Sequence, residues 1–92
     1  MTTTDARSMA QAKLGELVGA ISSPGGGSTP ELLEECAALA RAIAAFHLEA
    51  IRFRMFNVDR MLTRSVPAPA ARQLFEDVRA ALEAAGFHTR SH

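Results

Sequence analysis

From Glu31 to Val66 the chain contains neither glycine nor proline. This run constrains the fold more than any other feature, because the two residue types that most strongly oppose helix are missing from it. It follows Thr29-Pro30, a capping residue with proline at the first helical position, and Ser28 with Glu31 offers a competing capping box. The next proline is Pro67. The run therefore predicts one helix over 31–64, roughly 50 Å long at about 1.5 Å per residue.

Its apolar spacing supports that expectation. Leu32, Leu39, Phe46 and Phe53 are seven apart, as are Cys36, Ile43, Ala50 and Asn57. Interleaved, they make the alternating three- and four-residue steps of a helix–helix seam. Leu48, Ile51, Met55, Val58 and Leu62 form a second stripe, and Phe56 lies outside both. A helix with two apolar stripes needs packing on two sides. A 50 Å rod is also longer than the remaining chain can cover, so a second copy is expected on one side.

Two shorter helices flank this rod. Thr4 or Asp5 caps an N-terminal helix over about 5–21, with Leu14, Leu17, Val18 and Ile21 as its apolar stripe. A C-terminal helix fits 69–85, with Leu74, Val78, Leu82 and Ala85 on one face, Gly86 as the stop and Phe87 folded back. The expected organisation is an N-terminal helical segment (1–22), a flexible Gly/Ser/Pro linker (23–30) and a helical dimerisation domain (31–92). That last part holds the long helix, the C-terminal helix and a short tail.

Composition points the same way. Eighteen residues are alanine and only twenty-one are Leu, Ile, Val or Phe. Alanine favours helix but buries little area, so self-association is the economical way to enlarge the core. The fold class expected is all-α: a long central helix flanked by two shorter ones, assembled as an antiparallel helical-bundle dimer, with a tetramer as the next possibility. Charge sets the antiparallel sense. Residues 31–50 carry Glu31, Glu34, Glu35 and Glu49 against Arg41, while 51–64 carry Arg52, Arg54, Arg60 and Arg64 against Asp59. Antiparallel copies bring the acidic half of one rod against the basic half of the other. The expected self-association residues are Leu39, Ile43, Phe46, Ala50, Phe53 and Asn57.

For function, the residues support an interface better than a reaction. The formal net charge is zero, where a general nucleic-acid binder carries a positive excess. The triglycine at 25–27 lacks the preceding strand and following lysine of a phosphate-cradling loop. Cys36 is the only cysteine, which precludes an internal disulfide or a four-cysteine metal site and fits a reducing, cytoplasmic setting. The N-terminal residues lack the pattern of a secretory signal, and no run is long and apolar enough for a membrane span.

His47, read as a mid-helix residue, has no Glu or His three or four residues away to complete a metal site. No serine, histidine and acid constellation stands out. The expectation is a non-enzymatic oligomeric interaction or regulatory module with no cofactor, a homodimer with a protein or anionic partner. Arg52, Arg60 and Arg64 are its candidate contacts. A nucleic-acid-binding regulator using the Arg52–Arg64 region is the first alternative. A small enzyme or metal-binding bundle with an intersubunit site near His47 is the second.

Overall fold

A computed structural model describes residues 5–65 and 69–87. It contains four helices and, among the described residues, no strand. They are α1 (Ala6–Ser22), α2 (Pro30–Ala44), α3 (Leu48–Ser65) and α4 (Pro69–Ala84). The all-α expectation is met, but the single helix over 31–64 is corrected. It is two helices, α2 and α3, folded into a hairpin at Ala45–His47.

The start of α2 follows the sequence signals. Thr29 Oγ1 accepts from Leu32 N at 3.1 Å, with Pro30 at the first helical position. Asp5 caps α1, its Oδ1 accepting from Arg7 N. The linker makes an ordered turn: Gly26 N donates to Ser23 O at 2.8 Å and Ser28 N to Ile21 O at 3.2 Å. A Cβ on Gly26 would collide with the Ala20 and Ile21 carbonyl oxygens, so the close approach to the end of α1 requires glycine. The tail beyond Phe87 and the first four residues fall outside the described residues. So does the centre of the expected break between α3 and α4.

The end of α2 is where the sequence expectation and the fold part. His47 N donates to Ala42 O and Phe46 N to Ile43 O, a Schellman closure with Phe46 at φ 57°. Such a φ costs a non-glycine residue about 1–2 kcal/mol. The return is larger. Folding back buries Leu32, Leu39 and Ile43 of α2 together with Ile51, Met55, Val58 and Leu62 of α3, all at most 1% exposed. At about 1.5–3 kcal/mol per large apolar side chain, burial of two already outweighs the turn. The α2 half of the first stripe and most of the second thus serve one chain's core, while Phe46 and Phe53 of the first stay exposed.

Consecutive helices run antiparallel. Gln11 Nε2 of α1 donates to Ala40 O of α2 at 2.9 Å. Arg54 of α3 clamps Glu35 of α2 at 3.0 and 3.1 Å. The acidic-against-basic alignment expected between two copies is therefore present within one hairpin. Helices α1 and α4 pack most closely, through small residues such as Ala10 and Ala81. Helices α3 and α4 stand further apart and are bridged by long side chains. Arg72 Nη1 reaches Asp59 Oδ1 at 2.7 Å, and Arg79 lies 3.8 Å from Asp59 Oδ2. Both guanidinium groups also sit over the buried Phe75 ring, at 5.4 and 5.1 Å.

Candidate functional site

With one side of α3 committed to the core, its opposite side faces outward. Residues three and four apart share a helix face, and Phe53, Phe56, Arg60 and Arg64 fall into one arc by that rule. Phe53 and Phe56 remain 57% and 53% exposed. The Arg60 guanidinium lies 5.6 Å from the Phe56 ring centroid, within cation–π range. Arg54, held by Glu35, lies 5.2 Å from the Phe53 ring. Arg52 flanks the arc on one side, and half-buried Asn57 lines a shallow cleft with Arg60, Met61 and Arg64 on the other.

The electrostatics of this face follow from where the neighbouring acids go. Asp59 turns toward α4 and is taken by Arg72 and Arg79. Glu35 turns toward α3 and is taken by Arg54. Arg52, Arg60 and Arg64 form no ion pair among the described residues. Glu49, exposed in the first turn of α3, is the other acid of this helix and forms no ion pair among the described residues. Along α3 itself, the three arginines outnumber this glutamate around two open aromatic rings.

The six expected self-association residues do not share a surface. Leu39 and Ile43 are core residues at 0% exposure, and Ala50 is half-buried. Phe53 is on the outward face, with Asn57 at its edge. Phe46 sits at the hairpin turn, its ring 5.7 Å from Phe87 and 3.8 Å from the Arg7 guanidinium. Arg52, Arg60 and Arg64 are brought onto the same side of α3 as Phe53. Phe56 is the member of this face that seven-residue spacing does not pick out. Its three-residue step from Phe53 and four-residue step to Arg60 is the pattern that finds it.

Two other candidates change character. His47 is an exposed turn residue rather than a mid-helix one, and its Nδ1 accepts from Ala50 N at 3.2 Å, capping α3. Among the described residues no group of three or more His, Cys, Asp or Glu is placed to hold a metal ion. Cys36 is buried, and burial, reinforced by the Glu35 charge, pushes its thiol up to about 11. It stays protonated near neutral pH, which disfavours thiolate chemistry. Beside it, an open apolar groove of about 500 Å³ runs between α1 and α2, lined by Leu14, Gly15, Val18, Leu33 and Cys36 among others. Among the described residues no helix is long and apolar enough to cross a membrane.

No protein family, curated protein or solved structure matches the chain. What it presents is a small four-helix bundle with an aromatic and basic outward face on its third helix.

Proposed function

We propose that this protein is a non-enzymatic helical interaction module, and that the outward face of α3 is the surface by which it holds an acidic protein partner. One observation carries the reading. Phe53 and Phe56 stay more than half exposed beside three arginines that form no ion pair among the described residues, while Asp59 and Glu35 are held by Arg72 and Arg54. Aromatic and arginine side chains are the groups that most often dominate binding energy at protein interfaces. An aromatic side chain carries ~150–250 Å², so the two rings together hold on the order of 200 Å² of apolar surface in water.

An acidic amphipathic helix fits this surface better than duplex nucleic acid does. Its apolar stripe would cover the rings, and its flanking carboxylates would meet Arg52, Arg60 and Arg64 with the bidentate geometry guanidinium favours. A duplex offers phosphates but little to bury two phenyl rings. The rest of the chain also cancels the local positive charge.

The test is titration of the purified protein with a glutamate-rich amphipathic peptide and, separately, with duplex DNA, each at low and at moderate salt. Peptide binding is expected to weaken with salt and to drop at least tenfold in Arg60→Glu/Arg64→Glu. The bundle's thermal transition should be little changed, because both arginines are exposed. Binding of DNA in preference to peptide would assign the face to nucleic acid. Binding of neither at low salt would end the proposal.

A further inference from the structure

The turn between α2 and α3 contains none of the residues that break a helix. Ala44-Ala45-Phe46-His47 contains no glycine or proline, and the seven-residue spacing of apolar positions runs through it without a break. Phe46 nevertheless adopts a left-handed backbone, the only non-glycine residue with positive φ among the described residues. A short turn that holds a bulky side chain in that region stores strain, and short strained hinges invite exchange of elements between copies.

We infer that this turn is a hinge with a second state. In that state residues 30–65 form one helix, and the α1–α2 half of one chain packs on the α3–α4 half of a second copy. The occupant of the surface between the two halves is then another molecule of the same protein. Every contact across that surface is available in the exchanged form. Leu39 and Ile43 would meet Ile51 and Met55 of the second chain, and Glu35 would meet the second chain's Arg54. Straightening relieves the Phe46 backbone and restores the helical hydrogen bonds that the turn interrupts. It surrenders the packing of Phe46 on Phe87 and Arg7, and it requires two chains to associate. The outward face of α3 is unaltered by exchange, so this inference stands or falls separately from the partner proposed above.

The experiment compares wild type, Phe46→Ala and Phe46→Gly after refolding at high protein concentration, with mass read by light scattering and sedimentation. Both variants lose the same ring contacts. Glycine favours the left-handed turn and alanine favours helix, each by roughly fivefold in equilibrium. Two hinges straighten per dimer, so the dimer of Phe46→Ala should be tighter than that of Phe46→Gly by about two to three orders of magnitude. A second measurement fixes the arrangement. Spin labels replacing Glu31 and Arg64 in a Cys36→Ala background, diluted into unlabelled protein, should lie close in the monomer and about 50 Å apart in the dimer, from 33 residues of helix at about 1.5 Å each. Monomers throughout would overturn the inference. So would a dimer equally tight in both variants with its labels still close. If Phe53→Asp/Phe56→Asp dissolved that second kind of dimer, association would belong to the α3 face instead.

Discussion

At the end of α4, Gly86 takes φ 96°, its N–H donates to Glu83 O, and Phe87 N donates to Leu82 O at 2.9 Å. At the end of α2, Phe46 takes φ 57°, its N–H donates to Ile43 O, and His47 N donates to Ala42 O at 3.2 Å. The hydrogen-bond geometry is the same Schellman closure, yet the residues that accept it could hardly differ more. In α4 the left-handed position is glycine, and the next residue, Phe87, is buried. In α2 the left-handed position is phenylalanine, and the next residue, His47, turns outward to cap α3. The α4 end is specified locally. The α2 end is held from a distance, by Arg7 of α1 and Phe87 after α4 closing on the Phe46 ring. A cation–π contact of about 0.5–1 kcal/mol and an aromatic pair of about 0.5–1.5 kcal/mol together match the backbone cost of about 1–2 kcal/mol. A turn supported this way depends on the rest of the bundle being folded.

Three sets of substitutions would break or sharpen this contrast. The largest effect is expected at Phe87, which serves both ends. Phe87→Ala should lower unfolding free energy by about 3 kcal/mol in urea titration, from lost burial plus the lost ring contact. A loss under 1 kcal/mol would mean that the two helix ends are not joined through it.

Next is the sign of the alanine–glycine difference at the two left-handed positions. Phe46→Gly should be more stable than Phe46→Ala by about 1 kcal/mol, and Gly86→Ala should lose about 1 kcal/mol, because both backbones are left-handed. If α2 continued into α3 in the monomer, alanine would be favoured over glycine at 46 by a similar amount. The order of the two variants alone decides between hairpin and rod.

The smallest effect is expected at His47. His47→Ala removes a capping acceptor and should cost about 0.5–1 kcal/mol, while His47→Asn or His47→Asp should restore most of it. Equal stability of all four proteins would show that His47 does not cap α3.

Much of this bundle could be read along the chain. Thr29-Pro30 marked the start of α2, Asp5 was one of two residues expected to cap α1, and Gly86-Phe87 marked the end of α4. Of the candidate face, charge and spacing point to Arg52, Arg60 and Arg64 as a contact set, but they assign Phe53 to a self-association seam and leave Phe56 out. Which side of α3 faces out depends on where α2 and α4 lie. The fate of Asp59 and Glu35, which sets the charge of the face, depends on Arg72, Arg79 and Arg54 reaching them across helix boundaries.

Local sequence alone determined that the chain is helical and where most of its helices begin and end. Each of those outcomes rests on residues within a turn or two of one another. The tertiary structure decided that the middle segment bends at Phe46 and that the acidic stretch meets the basic one in the same chain. No residue near 46 favours a bend by itself. The apolar surface that α2 and α3 bury by folding together exceeds the local cost of the turn, and that gain exists only once distant parts of the chain are in contact.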